Sequence, residues 1–220
     1  LHLSIRRQRQ MCIRDRISVN QWGENQIVVV PGANATLSTE HVENAFSNIT
    51  KGSIILLQLE IPLASVARAI ELGIKNDCRI ILDPAPAQAL SPSLLENVFL
   101  LTPNETEAEI LSGIKVTGEN SAKEAASALL RLGVDNLAIT LGGGGVLLAS
   151  KNEYRLIPAI EVEAIDTTGA GDCFNGSLAS ELAKGNELSQ SIEFACRVAS
   201  ISVTRAGAQD AMPFSHEVKI

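Results

Sequence analysis

The stretch SIILLQLEIPLASVARAIELGIKNDCRIILDP, residues 53–84, decides the fold class. Residues 53–60 form a nearly unbroken apolar run, the pattern of a strand buried on both faces of a parallel sheet. Residues 62–76 read as a helix with Pro62 in its first turn, where a missing N–H costs nothing. Residues 79–84, RIILDP, read as the next strand. Strand, helix and strand joined by short turns place parallel strands side by side with the helix across one face.

The same alternation runs on toward the C-terminus. VFLLTP (98–103) and NLAITLG (136–142) read as strands, and GVLLAS (145–150) and EYRLIP (153–158) as shorter ones. NETEAEILSG opens a helix at Asn104, and SAKEAASALLRLG (121–133) is a second one stopped by Gly133. EVEAI (161–165) reads as a further strand. A helix then starts near Asp172, with Phe174, Leu178 and Leu182 on one face and Gly185 as its stop, and residues 188–204 form another. Upstream, ISVN (17–20) and NQIVVVP (25–31) read as two strands joined by a turn at 21–24, and Ser38 caps a helix carrying Val42, Phe46 and Ile49. The fold class is α/β, with a mainly parallel sheet and helices on both faces.

The chain has 220 residues, 45% apolar and 20% charged, within reach of one well-buried domain. Its net charge of −7 argues against nucleic acid as a partner. No apolar run approaches the roughly 18 residues of a membrane span, and no secretory signal is read, so the expectation is a cytoplasmic protein with no membrane partner. Cys12, Cys78, Cys173 and Cys196 form no CxxC pair and no zinc-like cluster, which fits reduced thiols. Residues 1–16 hold five arginines and one aspartate, leaving 13 basic and 24 acidic residues, a net of −11, for the rest. A basic arm or a transit peptide is one reading of that segment; the preferred one treats 1–16 as extraneous to a domain spanning 17–220.

In open α/β sheets, ligands bind where strands hand over to helices. The turns at those places are QLEIP, LDPAPAQ, TPNETE, TLGGGG and AIDTTGAGD. In the last, Gly169, Ala170 and Gly171 bring the backbone round before a helix whose free N–H groups favour an anion. Asp172 can accept a proton from a substrate hydroxyl, the pairing that phosphoryl transfer needs. Asp is also a common N-cap, and on residue type alone both readings stand. Asp166 is either a turn residue or a ligand for a hard cation. Asn104 and Glu107 are either a capping box or a phosphate and Mg²⁺ pair. Thr140 leads into Gly142, Gly143, Gly144 and Gly145, either a tight turn or a bare surface for a nucleotide. Glu60, at the end of a very apolar strand, needs a partner or a ligand. A Rossmann fingerprint fails at Phe174 and a Walker A loop fails for want of a lysine, which disfavours an NAD oxidoreductase.

Together these turns resemble the ribokinase/PfkB family of carbohydrate kinases. DTTGAGDCFNG (166–176) is similar to the family's C-terminal signature and TPNETEAEILSG (102–113) to its NxxE region. PGAN (31–34), QLEIPL, DPAPA, ITLGGGGV and SVTRAGAQ follow in the family's order. The resemblance implies a three-layer αβα fold with a mainly parallel sheet, of which 17–31 is the remnant of a mostly missing lid. It implies ATP-dependent phosphorylation of a pentose, D-ribose giving ribose 5-phosphate, with deoxyribose, fructose or a nucleoside as other acceptors. By the same resemblance Asp172 is the base and Gly169, Ala170 and Gly171 the anion hole. Asn104, Thr140, Gly142, Gly143, Gly144, Gly145, Gly171 and Cys196 line the nucleotide, Glu107 faces Mg²⁺ and Glu60 binds the sugar. Asp166 and Thr168, with Ser202, Arg205 and Gly207, form a K⁺ site.

Four positions depart from the family's habit: Cys196 stands for Asn or His, Cys173 for Thr, Ala211 for Ser, and GGGG lacks the usual Ser-Lys or Ser-Arg interior. The family's N-terminal third, with its GGxGAN sugar turn, has no counterpart here, so the expectation is a fragment that works poorly alone. The parent would dimerise through the lid. A catalytically dead nucleotide-binding module is the reading from another class.

Overall fold

The computed structural model describes residues 14–19, 25–30 and 32–218, the first two segments as backbone. The turn expected at 21–24, Pro31 and Cys12 lie outside the described residues. Strands β1 (Arg14–Val19) and β2 (Asn25–Val30) pair antiparallel, and β1 begins inside the 1–16 segment that its charge set apart.

The main sheet has six strands in sequence order: β3 (Ile54–Leu57), β4 (Arg79–Leu82), β5 (Leu100–Leu101), β6 (Asn136–Thr140), β7 (Val146–Ser150) and β8 (Tyr154–Ile157). β3 to β6 run parallel, and β7 and β8 fold back as an antiparallel meander. The helices are α1 (Thr39–Phe46), α2 (Leu63–Lys75), α3 (Pro92–Leu95), α4 (Glu105–Ser112), α5 (Glu119–Leu130), α6 (Ala170–Ala183) and α7 (Leu188–Ser202).

Period-two alternation divides the core into layers. Ile80, Leu82, Leu101, Leu137, Ile139 and Leu147 face the layer of α2 and α5. Ile81, Leu100, Ala138, Val146 and Leu148 face the opposite layer, with Phe174, Leu178 and Leu182 of α6. Both layers are lined by apolar side chains, and each fully buried Leu or Ile contributes about 1.5–3 kcal/mol. Among the described residues no helix is long and apolar enough to cross a membrane.

Two expectations are corrected and one is sharpened. Residues 161–165 form no strand: the alternation is there, but no neighbouring strand takes up its N–H and C=O groups, and Ile165 is 68% exposed. The helix expected near Asp172 starts at Ala170, with Gly169 as its cap. Strand β3 stops at Leu57, so Glu60 lies beyond it on an exposed bend and no buried charge needs explaining there.

Candidate active site

The site is assembled at the carboxyl ends of β3 and β4. Leu57 and Leu82, their last residues, are register partners, so the residues that follow, Gln58 and Asp83, emerge side by side. The Asp83 N–H donates to the Leu57 carbonyl at 2.9 Å. Helix α6 brings Asp172 and Asn175, one turn apart, to the same place. Leu56, Leu57, Gln58, Asp83, Asp172 and Asn175 line a cavity of about 230 Å³. Gln58 Nε2 donates to Asp83 Oδ2 at 3.0 Å and to Asp172 Oδ1 at 3.1 Å. Asn175 Nδ2 donates to the same Asp83 oxygen at 3.0 Å.

Asp172 does not cap α6. It is the third helical residue, and the cap, Gly169, contributes no side-chain bond. The Ala170 N–H donates back to the Thr167 carbonyl at 3.2 Å, so of the three residues expected to form an anion hole it is already engaged. Among the described residues, nothing accepts from the N–H of Gly171 or of Asp172. These are orphan donors of a helix start, with the positive end of its dipole behind them.

The two glycines differ in kind. Gly169 has φ of 75°, a left-handed turn that glycine suits. Gly171 needs no such freedom, and a Cβ placed on it would meet nothing within 4 Å. Glycine inside a helix costs about 1 kcal/mol against alanine. Neither conformation nor packing recovers that cost here, so an external group approaching the backbone is the remaining reason for it.

Asp83 is 6% exposed. Burial pushes its carboxyl up from 3.8 to about 6, the Glu107 and Asp172 charges push the same way, and the Gln58 and Ala85 hydrogen bonds oppose it. Between about pH 4 and 6 the folded chain holds a proton on Asp83 that the unfolded chain has released. Acidification through that window therefore stabilises the fold, and the penalty is full above it. Asp83→Asn removes the titrating charge, so in urea unfolding its stability relative to the parent is expected to be about 1–3 kcal/mol more favourable at pH 8 than at pH 4. A gain of equal size at both pH values would refute the buried-charge account. Burial raises the Glu107 carboxyl as well, against the Asn104 hydrogen bonds.

Asn104 and Glu107 do form the capping box: Glu107 N–H donates to Asn104 Oδ1 at 2.9 Å and Asn104 N–H to Glu107 Oε2 at 2.8 Å. Each keeps a second polar atom, Asn104 Nδ2 and Glu107 Oε1, that the cap does not use. Thr140 bridges to Asn104 in parallel fashion, and its N–H donates to the Pro103 carbonyl at 2.9 Å. Gly142, Gly143 and Gly144 make a 3₁₀ turn into β7. Gly145 is structural, because an added Cβ would lie 2.1 Å from the Ile157 carbonyl oxygen. Gly143 faces open space. Cys196 packs half-buried against the layer of Phe174 and Leu178, and burial pushes its thiol up to about 11.

Glu60 receives a long 3.5 Å hydrogen bond from Asn34 Nδ2. Asp166, Thr168 and Gly207 are brought together: Asp166 Oδ1 accepts the Thr168 N–H at 2.9 Å and Oδ2 the Gly207 N–H at 3.0 Å. These bonds, the Thr168 N–H foremost, hold the Asp166 carboxyl below the usual range. The N–H groups of Ile165 and Asp166 both donate to the Val203 carbonyl, at 2.7 and 3.2 Å. Ser202 is buried with its hydroxyl on the Ala199 carbonyl. The Arg205 guanidinium pairs with Glu217 at 2.7 Å, while its backbone N–H donates to the Ser202 carbonyl at 3.1 Å.

Gln58, Asp83 and Asn175 were missed from sequence. One signal for the first two was available: a polar residue directly after each of two apolar strands that the βαβ pattern makes neighbours. Asn175 was findable as the residue three after Asp172.

The fold is an α/β sheet with a glycine-led helix start at the carboxyl ends of its strands. The description pfkB family carbohydrate kinase matches residues 13–215, and the chain belongs to that family. The ribokinase of Haemophilus influenzae is 43% identical over 201 residues, 91% of this chain and 66% of that protein. The crystal structure of ribokinase from Thermotoga maritima is 39% identical with a TM-score of 0.83, covering 93% of this chain and 67% of that one. The ribokinase of Arabidopsis thaliana complexed with ribose and ATP is 29% identical with a TM-score of 0.81, covering 92% and 66%. The chain thus spans about two thirds of the length of these relatives.

Proposed function

We propose that the chain carries the chemical half of an ATP-dependent pentose kinase, with D-ribose as acceptor and ribose 5-phosphate as product. The observation that carries this reading is the start of α6. There a carboxylate with an uncommitted oxygen sits beside two unpaired backbone N–H groups. Asp172 takes the proton from the sugar hydroxyl as it attacks. The N–H groups of Gly171 and Asp172 meet the charge on the transferring phosphoryl group. The similarity to ribokinases, one of them complexed with ribose and ATP, supports the choice of substrates.

Mg²⁺ fits beside Glu107, a carboxylate with one oxygen outside the cap, and when bound it would neutralise nucleotide phosphates. Asn104 Nδ2 and the open Gly143 backbone would hold the nucleotide. A monovalent cation suits the single carboxylate of Asp166 with carbonyls of the 202–207 turn. Glu60, with Asn34, would hold sugar hydroxyls. The chain by itself is expected to turn over slowly. Among the described residues β3 is paired on one side only, and Leu56 on it is 39% exposed.

The test is ADP release by the full-length gene product with ribose, deoxyribose and fructose, with and without K⁺. Ribose is expected to stimulate release most, and release that no sugar stimulates would overturn the reading. Glu60→Gln should raise the sugar KM about tenfold and leave the nucleotide KM within about twofold; an effect confined to the nucleotide would remove Glu60 from the sugar site.

A further inference from the structure

We propose that Gln58 is a positioning residue for Asp172, reserving one oxygen of that carboxylate for the substrate proton. This rests on Asp172 being the base.

Asp172 is exposed, and an exposed carboxylate turns freely about its side-chain bonds unless something holds it. Gln58 is the side chain that holds it. A primary amide has two N–H donors, and Gln58 Nε2 gives one to Asp172 Oδ1 at 3.1 Å and one to Asp83 Oδ2 at 3.0 Å. The amide cannot turn over, because its oxygen would then face two carboxylates. With Oδ1 taken, Asp172 Oδ2 is bonded by no described residue and is left for the proton.

The holder is itself held. Asp83 is anchored to the sheet through its N–H on the Leu57 carbonyl, and it takes a second donor from Asn175 Nδ2. That arrangement carries a cost. Asn175 Oδ1 is the one buried side-chain polar atom without a partner among the described residues. An unsatisfied buried acceptor costs about 1–3 kcal/mol. Turning the Asn175 amide would place its oxygen against the Asp83 carboxylate and remove the second donor. A buried carboxylate and an orphaned carbonyl both weaken the fold, and what they secure in common is the direction of the Gln58 amide.

The test uses the full-length gene product. Gln58→Met keeps the volume and removes both donors; Gln58→Glu keeps the shape, replaces the donor nitrogen by an oxygen and adds a carboxylate charge beside Asp83 and Asp172. Each is made in the parent and in an Asp172→Asn background. The expected result is a fall in kcat of about 10- to 100-fold for either change in the parent, with both KM values within about twofold. In the Asp172→Asn background the same changes should alter kcat by less than about twofold, because the group they position is gone. An unchanged kcat for Gln58→Met overturns the proposal. So does an equal fall in both backgrounds, which marks general damage. Urea unfolding reports whether Gln58→Met folds, and Gln58→Glu carries the test where it does not. An Asp172→Asn enzyme with undiminished turnover would instead refute the base itself, so the two failures are told apart.

Discussion

Replacing Asp172 by Asn is expected to lower kcat about 10²–10⁴-fold, the usual contribution of a general base, with little change in either KM. The substitution leaves the geometry standing. Asp172 lies in the first turn of α6 without capping it, and among the described residues its one side-chain bond is to Gln58 Nε2. The Asn side-chain oxygen can accept that same bond. The amide that replaces Oδ2 cannot take a proton. Thermal stability should therefore stay close to the parent's, a point circular dichroism checks beside the kinetics. If turnover survives, the hydroxyl loses its proton elsewhere and the site has been misread.

Gly171→Ala is expected to move stability and activity in opposite directions. Alanine in place of a glycine in the first helical turn gains up to about 1 kcal/mol, and nothing within 4 Å obstructs the added methyl. The same methyl stands beside the unpaired Gly171 N–H. Losing one such donor costs on the order of 10²-fold in kcat where the charge of a transition state rests on it. Urea unfolding and ADP release on the same preparation give both signs. A variant that is more stable and equally active would mean that no phosphoryl group meets that N–H.

Much of the fold was legible because its signal is local. Short apolar runs at 80–82 and 137–139 mark strands buried on both faces, and the spacing of Phe174, Leu178 and Leu182 marks the buried face of α6. EVEAI misled for the same reason: Val162 and Ala164 alternate with Glu161 and Glu163, but a strand also needs a neighbour, which periodicity does not reveal. The capping question at Asp172 turned on where α6 begins. The left-handed Gly169 decides that, and an added Cβ there would lie 3.6 Å from Ala208, a residue distant in sequence. Asn104 and Glu107 form the capping arrangement, the first of the two readings their spacing allowed, and those bonds leave the ligand reading as a proposal. Gln58 and Asp83 escaped because their bond crosses 25 residues and exists only once β3 and β4 are paired.

The longer of the two Gln58 bonds has a consequence for refolding. It joins residues 114 apart in the chain. Closing so long a loop gains nothing until the strands between are ordered, and such contacts slow folding. Secondary structure recovered from denaturant should therefore precede recovered turnover, and the lag between the two signals would time the moment at which α6 settles onto the ends of β3 and β4.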